Sequence, residues 1–324
     1  MKSTSKTVLG AICLGEFIGT FLLVLFGTAT VAVAVLFNAH VGLLQVAVVW
    51  GIGVTLAIYA TRHLSCAHLN PAVSLGMVLA GRMNLRLLPW YWLAQLAGGI
   101  AAGATVLLLF GSAIGDFEHA RGIVRGAPGS VQTAMIFGEY FPHPGLAASG
   151  LGATISIAIL AEALGTFLLV TMVFSLTEGC NVGRPADGLA PVFIGATVAA
   201  IISILAPLTQ AGLNPARDFG PRLVAFLAGW DGVAIPGPRG GFFLVYVAAP
   251  LVGGALSAIG FRYGLQPLMD SRTTAVTGAC SNGEIDMSNS ADLPQIAVAA
   301  QHNQPSEGNV TVACNLVKAR FGGM

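Results

Sequence analysis

Charge is what this chain has least of. Of its 324 residues, 9% are Asp, Glu, Lys or Arg, while 55% are hydrophobic. A soluble domain carries about 25% charged residues, so this chain cannot cover itself with polar surface and belongs in a lipid bilayer. Its formal net charge is +1, which leaves nothing to draw it to nucleic acid. The five cysteines are scattered at 13, 66, 180, 280 and 314 with no C-x-x-C spacing, so neither zinc ligation nor a disulfide framework is expected. The phosphate-cradling G-x-x-x-x-G-K pattern is missing, and so is a chain of acidic residues for proton relay. No Ser/His, Cys/His or metal-ligand constellation occurs; His63 and Cys66 are neighbours without a third partner. The expectation is therefore a non-enzyme with no cofactor and no metal.

What the chain has in quantity is long apolar runs. A membrane-crossing helix needs about 20 mostly apolar residues, and spans are predicted near 10–36, 41–61, 88–110, 153–176, 189–207 and 241–263. The first run follows Lys2 and Lys6 but continues to about Phe37, longer than a secretory h-region of roughly 7–15 residues. Two apolar stretches, 71–80 and 215–228, are too short to cross. Residues 112–152 read as a long loop, and 266–324 as a polar, Ser/Asn-rich, disordered tail. With this threading Lys2, Lys6, Arg82, Arg86, Arg184 and Arg262 share one side, while Arg121, Arg125 and Arg239 take the other. The positive-inside rule then puts both termini in the cytoplasm.

The chain repeats itself. "EFIGTFLLVLFG" begins at Glu16 and "EALGTFLLVTMV" at Glu162; "HLNPAVSLG" runs over 68–76 and "GLNPARDFG" over 212–220. Each half is helix, helix, short half-element, helix, with repeats at about 8–111 and 153–265 joined by the 112–152 loop. Three crossings is an odd number, so the second copy must be inverted across the membrane. Inverted-repeat folds hold their functional site where the halves meet.

Asparagine is a strong helix N-cap and proline is favoured at the first helical position. Asn70-Pro71-Ala72 and Asn214-Pro215-Ala216 are therefore predicted to start two helices too short to span. Inversion brings them together N-end to N-end near the midplane, each with about half a unit of positive charge. Facing ends of that kind repel cations, hydronium included, while the two side-chain amides can hold the oxygen of a neutral solute. The segments "HLSCAH" (63–68) and "LTQAGL" (208–213) are expected to descend non-helically, with carbonyls turned to the pore. His63 and His68 lie in the first segment and read as structural donors, with a pH role kept open by their near-neutral titration.

On these residues the chain resembles the aquaporin (major intrinsic protein) family over about 8–265. Asp218 directly after Arg217, and Pro250-Leu251 in the last span, make it similar to the glycerol-facilitator branch, the aquaglyceroporins. The resemblance implies an all-α membrane bundle of six spans plus two re-entrant half-helices, assembled as a homotetramer with one pore per subunit in the cell membrane. By alignment it places the narrowest ring at Trp50, Ile202, Ala211 and Arg217. Trp50 and Arg217 match the glycerol-facilitator pattern. Ala211 stands where that branch usually has phenylalanine, and Ile202 where it usually has glycine.

Ionisable groups at membrane depth are costly and functional by default. Arg217 is expected to be the cation barrier and a solute donor, with Asp218 bracing the loop around it. The symmetric Glu16 and Glu162 are expected to accept hydrogen bonds from the two re-entrant loops. The expected function is passive passage of small uncharged solutes: glycerol first, water more weakly, with urea and undissociated metalloid acids as further candidates. The alternative is a proton-coupled secondary transporter working through Glu16 and Glu162; collapsing the proton gradient separates the two.

Overall fold

The computed structural model describes residues 2–40, 42–145, 152–181 and 183–271. The predicted tail beyond Ser271, and loop residues 146–151, lie outside the described residues. Among the described residues there is no strand. Six helices are long and apolar enough to cross a membrane: Thr7–Phe37, Leu43–Ser65, Leu85–Ala120, Ile155–Thr177, Ala190–Thr209 and Phe243–Ser271, the first to sixth spans below. The chain is thus a multi-pass integral membrane protein. Two half-helices, Pro71–Leu79 and Pro215–Ala225, follow the second and fifth spans.

Hydropathy placed the spans but not all their ends. The third span continues to Ala120, well into the predicted 112–152 loop, and the sixth to Ser271, into the predicted tail. Hydropathy marks where a helix leaves lipid; the backbone ladder continues until a breaker or cap stops it. At the end of the third span Glu118 is buried and takes the guanidinium of Arg125 (Nη2 to Oε2, 2.8 Å) and the hydroxyl of Thr133 (2.6 Å). The connecting loop is therefore not a peripheral tether. Its residues Ala134, Ile136 and Phe137 are buried, packed with Trp230 beyond the second half-helix.

The first span packs on the second and third, the fourth on the fifth and sixth, and the second on the fifth. The half-helices are exchanged between repeats: the second lies on the third span and the first on the sixth. Close approach at these two crossings depends on glycine. A Cβ on Gly99 would stand 2.6 Å from the Ala216 carbonyl oxygen, and one on Gly254 2.9 Å from that of Ala72. Small residues let membrane helices approach backbone to backbone in this way.

Candidate functional site

Each half-helix starts as its sequence dictates. Asn70 is extended (φ −156°, ψ 124°), and its Oδ1 accepts from Ala72 N at 2.8 Å. Asn214 is extended likewise (φ −146°, ψ 106°), and its Oδ1 accepts from Ala216 N at 3.1 Å and Arg217 N at 3.2 Å. Pro71 and Pro215 occupy the first helical positions, where a missing N–H costs nothing. The two N-termini touch. Asn70 Nδ2 donates to Leu213 O at 3.0 Å, and Asn214 Nδ2 donates to Leu69 O at 2.8 Å. Each amide spends one hydrogen on locking the opposite loop and has a second to offer, and both asparagines line one cavity.

The non-helical segments are shorter than expected. The second span stays helical through Ser65, so His63 sits exposed in its last turn and does not descend with the loop. The descending segments are 66–69 and 210–213, and they share one conformation. Cys66, Ala67 and Leu69 have φ of 66°, 52° and 55°; Gln210, Ala211 and Leu213 have 62°, 59° and 56°. Left-handed backbone at six non-glycine positions is costly, and a matched set of bonds holds each segment. Glu16 accepts from His68 N (2.9 Å) and Leu69 N (2.7 Å); Glu162 accepts from Gly212 N (2.8 Å) and Leu213 N (2.7 Å). Ser65 Oγ takes Ala67 N and Thr209 Oγ1 takes Ala211 N, each at 3.2 Å. Tyr91 OH donates to Ser65 O at 2.7 Å, and Tyr246 OH to Thr209 O at 3.0 Å. Gln95 Nε2 adds bonds to Glu16 (2.7 Å) and Ser74 (2.9 Å). His68 stacks on Tyr91 with ring centres 4.7 Å apart, its Nδ1 3.3 Å from Ser74 Oγ.

The result is a cavity of about 360 Å³ with two chemically distinct walls. Trp50, Val54, Ile58 and Arg62 line it from one face of the second span, at four-residue spacing, and Ile194, Val198 and Ile202 do the same from the fifth. Trp50 to Arg62 corresponds to about 18 Å along a helix. The other wall comes from the two descending segments. Ala67, His68, Ala211 and Gly212 line the cavity, and among the described residues nothing donates to their carbonyls. Trp50, Ile202, Ala211 and Arg217 all border this space, and the Arg217 Cζ lies 4.0 Å from the centre of the Trp50 ring. Glu16 and Glu162 are fully buried and are not among the lining residues.

Arg217 pairs with Glu139 of the connecting loop, not with Asp218. Asp218 holds Arg222 in a two-pronged contact (2.9 and 2.8 Å) and accepts from Glu139 N at 2.7 Å. Arg222 in turn donates to the carbonyls of Ala234 (2.9 Å) and Glu139. Sequence reasoning missed Glu139, Gln95, Arg222 and the two tyrosines. For the tyrosines a signal existed: "YWLAQLAGG" at 91–99 and "YVAAPLVGG" at 246–254 both put Gly-Gly seven residues after Tyr. Glu139 has no partner copy in the other repeat. Among the described residues no group of three or more His, Cys, Asp or Glu could hold a metal.

Comparison with known proteins agrees with this architecture. Residues 2–261 match the family model described as major intrinsic protein. The chain is 43% identical over 251 residues to the glycerol uptake facilitator protein of Pseudomonas aeruginosa, covering 77% of this chain and 87% of that one. It is 39% identical over 251 residues to the protein of the same name from Haemophilus influenzae (77% and 92%), and 38% identical over 256 residues to the propanediol uptake facilitator of Citrobacter freundii (79% and 92%). The X-ray structure of the aquaglyceroporin from Plasmodium falciparum superposes with a TM-score of 0.69 at 23% identity, over 81% of this chain and 99% of that one, a likeness of fold. A doubled, inverted Asn-Pro-Ala element closing on one cavity, on a chain so matched along most of its length, makes this protein a member of the major intrinsic protein family.

Proposed function

We propose that this chain is a passive channel for small uncharged solutes, with glycerol the main solute and water passing more weakly. The observation that carries the reading is the two-walled cavity: an apolar stripe from the second and fifth spans beside the descending residues Ala67, His68, Ala211 and Gly212, whose carbonyls take no backbone hydrogen bond among the described residues. A polyol fits such a lane, with its carbon backbone on the stripe and its hydroxyls donating to the carbonyls. Asn70 and Asn214 offer amide hydrogens where the half-helices meet, and the paired helix N-termini disfavour cations there. Arg217 donates to hydroxyls at the ring while Trp50 carries carbon. Three relatives bearing facilitator names, at 38–43% identity, support glycerol and related alcohols as cargo. Urea and undissociated metalloid acids share the needed size and neutrality.

A homotetramer in the cell membrane, with both termini cytoplasmic, belongs to the same reading. The proton-coupled alternative is disfavoured because both oxygens of Glu16 and of Glu162 are already engaged by loop N–H groups, away from the cavity. Stopped-flow light scattering on proteoliposomes tests the proposal. Glycerol-driven volume recovery faster than in empty vesicles, and unchanged when the proton gradient is collapsed, is the expected result; water passage with no glycerol passage refutes it.

A further inference from the structure

Three arginines border the cavity: Arg62, Arg184 and Arg217. Two of them are compensated, Arg217 by Glu139 and Arg184 by Asp187. Arg62 makes no ion pair among the described residues; its Nη1 donates to the backbone carbonyl of Asp187 at 2.9 Å. It closes the stripe of Trp50, Val54 and Ile58, and so stands about 18 Å along the second span from the ring, at the other end of the lane. Its place in the last turn of that span, beside the negative end of the helix, favours its charge without a carboxylate. The loop between the fourth and fifth spans frames this mouth, supplying Gly179, Arg184 and Asp187 to the lining. The second span is tied to that loop and to the start of the fifth span: Tyr59 OH donates to Gly188 O at 2.5 Å and Thr55 Oγ1 to Pro191 O at 3.2 Å. One bond thus sets the Arg62 guanidinium in place, and its other N–H groups remain to be offered. The positive charge that no carboxylate compensates lies at this mouth, not at the ring.

We propose that this mouth binds a phosphate group through Arg62, and that its occupant blocks the lane. This rests on the channel reading above. A guanidinium offers phosphate two parallel N–H donors, and charge-assisted bonds of that kind are the strong ones. Arg184 borders the same mouth and adds a second positive group. Asp187 is the one carboxylate in the lining and works against an anion; its side chain is 54% exposed and tied to Arg184, so water and its partner both weaken its field. A phosphorylated polyol suits the place: with its phosphate on Arg62, its carbon chain lies toward Ile58 and Val54 of the stripe. An occupant there stands in the path that neutral solutes take into and out of the lane. Two charge-assisted bonds at a water-exposed site correspond to half-block at about 1–10 mM.

Glycerol flow through reconstituted full-length protein tests this, with the anion equilibrated on both sides and chloride at equal ionic strength as the reference. Glycerol 3-phosphate and inorganic phosphate are the probes. Each variant is read as a fraction of its own unblocked flow, so the number of assembled channels drops out. Block of the wild type is expected in the range given above. In R62A the half-blocking concentration is expected to rise at least about tenfold, and in D187N to fall. If R62A does not assemble, R62Q takes its place. Stronger block by glycerol 3-phosphate assigns the mouth to a phosphorylated solute, and equal or stronger block by inorganic phosphate assigns it to the free ion; both support phosphate recognition at Arg62. No block by either probe in the wild type, or block unchanged in the Arg62 variant, overturns the proposal. Wild-type vesicles that pass no glycerol in chloride alone sink the channel reading instead, which separates the two failures.

Discussion

Arg217 lies over the indole of Trp50, its Cζ 4.0 Å from the ring centre. The two residues come from opposite repeats, so this contact forms only where the halves meet. Trp50 reaches this place because Gly27 of the first span leaves room: a Cβ there would stand 2.1 Å from the ring. A cation over an aromatic face is attracted by its quadrupole, which adds to the hold of Glu139 from behind.

That double hold makes Arg217 expensive to remove. R217A strands the buried Glu139 carboxylate, and breaking a buried pair from one side costs about 3–5 kcal/mol. Thermal unfolding in detergent is expected to show a large drop for R217A and a smaller one for the double variant R217A/E139A, which removes both charges. A double variant less stable than R217A by the full cost of E139A would mean the two residues are not coupled.

Ala211 and Ile202 both border the cavity and are almost fully buried. A211F adds a ring to a wall that already carries the bulk of Ile202. Glycerol flow is expected to fall about tenfold, within the range that one misfitted group imposes on passage through a shaped site. Adding Ile202→Gly to A211F should return much of the flow. Unchanged glycerol flow in A211F would show that the narrowest point lies elsewhere.

Glu162 holds the second loop through the N–H groups of Gly212 and Leu213, at 2.8 and 2.7 Å. E162A leaves both buried donors without an acceptor, at about 1–3 kcal/mol each. E162Q retains one oxygen. The expected order of melting temperature is wild type, then E162Q, then E162A, and the same order should hold for the Glu16 series.

Packing of the second half-helix on the third span depends on Gly99. In G99A the new methyl meets the Ala216 carbonyl oxygen at 2.6 Å, backbone that cannot swing aside. Overpacking of this kind costs about 1–3 kcal/mol. G111A, on the same helix, meets nothing within 4 Å and should melt as wild type does. Equal melting of the two variants would contradict the close approach.

Much of this was legible before any coordinates. Six apolar runs, the doubled Leu-Asn-Pro-Ala element and the doubled Glu-containing helix define an inverted repeat, because those signals are periodic, local and present twice. The meeting of Asn70 with Asn214 follows from counting crossings. Helix ends were less legible: the third and sixth spans run past their hydropathic limits, and the second does not unwind until after Ser65.

Sequence alone determined the bundle, the two half-helix starts and the residues facing their junction, since capping, proline geometry and lipid solvation act over a few residues at a time. Tertiary structure decided the rest. It assigned Arg217 to Glu139 and Arg222 to Asp218, although Asp218 is the chain neighbour of Arg217. It also set Glu139 of the connecting loop against Arg217. The reason is that an ion pair is chosen by which buried groups arrive at the same point in space, and residues far apart in the chain arrive there only when the whole bundle has closed.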